Sequence, residues 1–116
     1  MAGARERIAA ARTTLASGFE GVAVSSAYYA MLYAARAALS EEDRYAKTHS
    51  GTWQLFRETF VASRRFDGEL LRQAERTQEL RLGADYDALQ VEPEAAESVV
   101  ELAERFVAAV EALYPD

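Results

Sequence analysis

Apolar residues recur along this chain at spacings of three and four, the repeat of one helix face, and no stretch alternates as a half-buried strand does. Ile8, Ala11 and Leu15 mark a first helix from Ala2 to Ser17, and Gly18 stands where a left-handed C-cap belongs. From Val22 to Leu39 the pattern changes. The nine residues Ala27 to Ala35 carry no charge, which is too short for a bilayer span and predicts a helix covered on nearly every side. Ala30, Ala34, Ala37 and Ala38 give it a flat stripe for a close neighbour, and Tyr29 and Tyr33 fall one turn apart.

Ser40 to Lys47 is polar and reads as a loop, after which Thr48 or Ser50 caps a third helix carrying Trp53, Phe56, Phe60 and Val61. Ser63 to Phe66 interrupts the repeat, and Asp67 caps a fourth helix through Leu70, Leu71, Ala74, Thr77 and Leu80. Between Gly83 and Glu92 two readings stand: the helix continues through Asp85 and Tyr86, or it ends at Gly83. Pro93 opens a final helix, with Glu94 and Glu97 near its positive end and Val99, Leu102, Phe106, Val110 and Leu113 on one face, and Pro115 stops it. The expected fold is all-α: one domain over residues 1–116, an antiparallel up-and-down helical bundle of four main helices plus one additional helix.

Composition narrows the chemistry. Half of the 116 residues are hydrophobic, enough for one core, and Cys 0 with His 1 excludes disulfides, thiolate nucleophiles, cysteine zinc sites and histidine clusters. A net charge of -6 argues against a broad basic surface for nucleic acid. The acidity is concentrated after Arg81, where Arg105 faces nine acidic residues. No basic start followed by an apolar run marks an export signal, so the expected location is cytoplasmic and away from membranes.

The sequence contains no phosphate-cradling glycine loop, no Glu-x-x-His motif and no recognisable Ser-His-Asp set, and no cofactor or metal is expected. Glu94, Glu97, Glu101 and Glu104 lie on one side of the last helix and read as a solvated face rather than a metal face. His49, in Lys47-Thr48-His49-Ser50-Gly51, is chemically able to serve as acid, base or ligand; the plainer reading is hydrogen bonding at a helix start. Tyr28, Tyr29 and Tyr33 suit base stacking, although aromatic residues on a central helix are usually core. If the fourth helix persists, Arg81 and Asp85 lie one turn apart. That spacing by itself reads first as a structural pair; the other reading is a guanidinium oriented for phosphate.

Three stretches, Ser26 to Leu39, Lys47 to Gly51 and Arg81-Leu82-Gly83-Ala84-Asp85-Tyr86, together resemble HEPN-domain proteins of the small stand-alone branch with an Arg-x-x-Ala-Asp-Tyr motif. The resemblance implies a helical bundle, frequently a homodimer, often encoded beside a minimal nucleotidyltransferase in toxin-antitoxin pairs. Many HEPN members are metal-independent ribonucleases whose arginine is followed after four to six residues by a histidine. Arg81 matches the arginine, whereas the positions where the histidine would fall hold Tyr86, Asp87 and Ala88. A phenol with an ordinary pKa near 10 is a poor general base.

The expected function is therefore a non-catalytic or weakly active HEPN module that binds a nucleotidyltransferase partner, nucleotide or RNA. Arg81, Asp85, Tyr86, His49, Tyr29 and Tyr33 are the candidate binding residues. The alternative is a metal-independent endoribonuclease with an atypical site, for which Arg81, Tyr86 and His49 are the catalytic candidates. A third reading is a structural module that recruits a partner helix.

Overall fold

The computed structural model describes residues 1–86 and 90–115, with the backbone alone for residues 84–86. Its helices are α1 (Ala2–Ala16), α2 (Glu20–Glu41), α3 (His49–Phe56), α4 (Gly68–Tyr86) and α5 (Pro93–Glu111), and no strand occurs among the described residues. The four long helices are the main members and α3, with 8 residues, is the additional one. No described helix is long and apolar enough to cross a membrane.

α2 packs against each of the other four helices. Val24, Ala27, Tyr28, Ala30, Met31, Leu32, Ala34 and Ala35 are all fully buried, as its charge-free run predicts. Its small alanines suit close approach by α1, α4 and α5, and Met31 and Leu32 are fully buried beside them. One end of this core is aromatic: Phe56 lies 4.7 Å from Phe60 and 4.9 Å from Phe66 between ring centroids, and Phe106 joins them from α5.

Three chain reversals use one device. After α1, Phe19 N–H donates to Thr14 O (2.8 Å) and Gly18 N–H to Leu15 O (3.1 Å), with Gly18 at φ 82. The same pattern closes α2 with Asp43 at φ 59, and ends the segment after α3 with Arg64 at φ 62. The first left-handed cap was legible as glycine; the other two stand on ordinary side chains. Thr48 rather than Ser50 caps α3: its hydroxyl accepts from Gly51 N–H at 2.9 Å. A Cβ on Gly51 would lie 2.7 Å from that hydroxyl oxygen, so glycine is what allows the cap to close here. Asp67 accepts from Glu69 N–H at 2.9 Å before α4.

The structure corrects three expectations. The third helix is α-helical only to Phe56, and residues Arg57–Val61 form a π-helical turn that places one extra residue in the repeat. α5 ends at Glu111, before Pro115, and Tyr114 then hydrogen-bonds Glu42 and accepts from Arg65. The acidic side of α5 is more than a solvated face: Arg12 binds Glu97 at 2.9 Å and Glu104 at 3.1 Å, while Arg5 pairs with Glu111. Residue numbers rise along α1 as they fall along α5 in these pairs, so the two helices run antiparallel. Of the two open readings at Gly83, the helix continues, through Tyr86.

Two outcomes follow from these ends and pairs. Arg64→Gly removes a left-handed strain of roughly 1 kcal/mol, partly offset by the entropy of glycine in the unfolded chain, and is expected to raise the urea midpoint. Arg12 hydrogen bonds and charge hold Glu104 below the usual carboxylate range, as Arg5 holds Glu111. A depressed folded pKa contributes stability above the unfolded value of about 4.3 and loses it as pH falls through the folded value. The urea midpoint is expected to decline below about pH 4.3, and to decline less steeply in Arg12→Met; an equal acid dependence would refute the pairing.

Candidate functional site

α3 begins at His49 because Thr48 caps it, and this fixes the imidazole on the first helical residue, facing the middle of α2. Tyr28 and Tyr29 are consecutive on α2, so their rings diverge and meet edge to face, 5.5 Å apart at 77°. His49 borders both, at 5.7 Å from Tyr28 and 5.9 Å from Tyr29 between centroids. From α4, the Arg81 guanidinium carbon stands 5.2 Å from the Tyr28 ring and 5.3 Å from the Tyr29 ring. Each such contact contributes about 0.5–2 kcal/mol, more as water is excluded. Arg81 is only 6% exposed.

The Tyr28 hydroxyl is the centre of the cluster. Trp53 Nε1 donates to it at 3.3 Å, it donates to Gln78 Oε1 at 3.0 Å, and His49 Nδ1 lies 3.2 Å away. Arg36 Nε donates to Thr52 Oγ1 at 3.3 Å, adding a second cation near the start of α3. Burial chiefly pushes the Tyr28 phenol up, opposed by the Trp53 hydrogen bond and the Arg81 charge. His49 moves down, first through burial and then through Arg36 and Arg81, so its neutral form is favoured at physiological pH.

Of the residues singled out from the sequence, Arg81, His49 and Tyr29 come together. Tyr33 joins only through Tyr29, at 5.9 Å, and its own ring is covered by Arg7 from α1. Asp85 and Tyr86 lie on the last turn of α4, and the expected roles of their side chains fall outside the described residues. Gln78 and Arg36 join the cluster without having stood out in the sequence, and Trp53 and Tyr28, expected as core, supply polar contacts there as well. The signal was available in spacing: Gln78 precedes Arg81 by three and Trp53 follows His49 by four, each pair on one helix face. Two cavities, of about 710 Å³ beside α4 and α5 and about 460 Å³ near Met1 and Tyr114, are lined by other residues. Arg81 sits between aromatic rings instead. Among the described residues, no three His, Cys, Asp or Glu side chains gather as a metal site.

This constellation brings a guanidinium stacked on two tyrosine rings and an imidazole whose neutral form is favoured into one place, chemistry compatible with contact to a phosphate group. A UPF0332 protein of Gloeobacter violaceus is 39% identical over 83 residues, covering 72% of this chain and 66% of that protein. A Methanocaldococcus jannaschii protein named "Putative toxin" is 33% identical over 95 residues, covering 81% of this chain and 65% of its own length. A second protein of that name and organism is 32% identical over 104 residues, 90% of this chain and 78% of the relative. The matched part thus spans just under two thirds of the length of the first two relatives. The HEPN domain profile matches residues 1–113, nearly the whole sequence given, and the chain belongs to the HEPN domain family.

Proposed function

We propose that this chain is the HEPN component of a toxin-like pair, a helical module that binds a nucleotide or RNA phosphate at Arg81 with weak or no cleavage of its own. The observation that carries this reading is the Arg81 guanidinium held between Tyr28 and Tyr29 with His49 on the same two rings. So little of Arg81 is open that a ligand meets it as one phosphate-sized contact, which agrees with a chain of net charge -6. HEPN membership and the two relatives named as toxins support the toxin-like context. A homodimer working with a minimal nucleotidyltransferase is part of the same proposal, and the resemblance of the Arg81 motif supports it.

A second reading has its own observation. The family histidine is missing after Arg81, yet His49 arrives at the same rings from α3. In that reading the chain is a metal-independent endoribonuclease in which His49 replaces the usual imidazole.

Fluorescence anisotropy with a short single-stranded RNA tests the first reading. Wild type binds with a shallow salt dependence, of about one released counterion. Arg81→Ala weakens binding about tenfold to a hundredfold, the effect of one charge-assisted hydrogen bond. Equal, negligible binding by both proteins removes the ligand site. Gel-based cleavage of the same RNA decides the second reading: activity lost in both His49→Ala and Arg81→Ala establishes it, and no cleavage by wild type dismisses it.

A further inference from the structure

Tyr28 has one hydroxyl proton and three polar neighbours, and counting donors settles where the protons lie. Trp53 Nε1 only donates, so it occupies a lone pair of the phenol oxygen. Gln78 Oε1 only accepts, so it takes the Tyr28 proton. His49 Nδ1, 3.2 Å from the same oxygen, then faces a lone pair, and a hydrogen bond there requires the proton to be on Nδ1. We infer that Tyr28 and Gln78 are positioning residues that hold neutral His49 as its Nδ1–H tautomer, leaving Nε2 as a hydrogen-bond acceptor beside Arg81.

Gln78 is the residue on which the tautomer turns. With its amide reversed, Gln78 would donate to Tyr28, the phenol O–H would donate to an unprotonated His49 Nδ1, and Nε2 would carry the single imidazole proton. The charged groups facing His49 among the described residues, Arg36 from α2 and Arg81 from α4, disfavour imidazolium and keep the single-proton form in place.

The chemical consequence rests on the ligand site proposed above. Arg81 offers only donors, and His49 Nε2 offers only a lone pair. An ionised phosphate oxygen pairs with the first and is repelled by the second, whereas a sugar hydroxyl donates to the second. The two side chains together therefore select a phosphate carrying a nearby hydroxyl, as in a ribonucleotide, over its 2′-deoxy counterpart.

His49 is the only histidine in the chain, so ring nitrogen chemical shifts from 15N-histidine NMR on the free protein are unambiguous. At neutral pH, wild type shows a protonated Nδ1 and an unprotonated Nε2. Gln78→Glu, which can only accept, keeps that pattern. Gln78→Met and Tyr28→Phe switch His49 to the Nε2–H form that an unconstrained imidazole prefers. Wild type with Nε2–H, or Gln78→Met indistinguishable from Gln78→Glu, overturns the tautomer assignment; the variants at half-buried Gln78 keep the test valid if Tyr28→Phe fails to fold. Binding then tests the consequence. RNA is expected to bind roughly tenfold tighter than DNA of the same sequence, and Gln78→Met to abolish the preference. Equal binding of RNA and DNA by wild type overturns the hydroxyl contact while leaving the tautomer and the Arg81 phosphate contact to their own measurements.

Discussion

Tyr28 is fully buried at the centre of a helix that every other helix touches, and a phenol hydroxyl removed from water costs free energy unless it is hydrogen-bonded. That requirement draws Trp53 and His49 from α3 and Gln78 from α4 to one oxygen. The register of three helices is thereby tied to a single atom. Arg81 follows one turn after Gln78, so the same register places its guanidinium over the Tyr28 and Tyr29 rings. The polar hub thus fixes helix register and gathers the candidate residues at one place.

The cation at Arg81 stands over the rings of Tyr28 and Tyr29, whose faces stabilise a guanidinium. Nearby, Arg36 adds positive charge. On the other side of the bundle, acidic side chains of α5 are engaged with Arg5 and Arg12. Charge is therefore partitioned by the bundle: α1 and α5 pair along one side, and α2 and α4 bring Arg36 and Arg81 near His49 at another.

In the family pattern that the Arg81 motif resembles, arginine and histidine follow one another on one stretch of chain. Here the helix carrying Arg81 has no histidine after it, and the imidazole comes from α3. The approach differs physically. A histidine on the same helix is placed by helical repeat alone, whereas His49 is placed by the Thr48 cap, by the Gly51 space that lets the cap close, and by the Tyr28 oxygen. Those constraints hold its ring on two sides, which is what an acceptor of fixed polarity needs.

Five helices, the burial of α2, the glycine turn after α1 and the Pro93 start were legible in the sequence, because helical periodicity and cap residues act over a few neighbours. The Arg81 and His49 motifs were legible as well, but not their meeting, since 32 positions separate them and only the packing of α3 and α4 on α2 brings both to Tyr28 and Tyr29. The π-helical turn after Phe56 and the left-handed Asp43 and Arg64 carry no local signal and are set by where the aromatic core and the chain reversals must fit. Local chemistry determined the elements; hydrogen-bond satisfaction of one buried oxygen, a property of the assembled bundle, decided which side chains share a site.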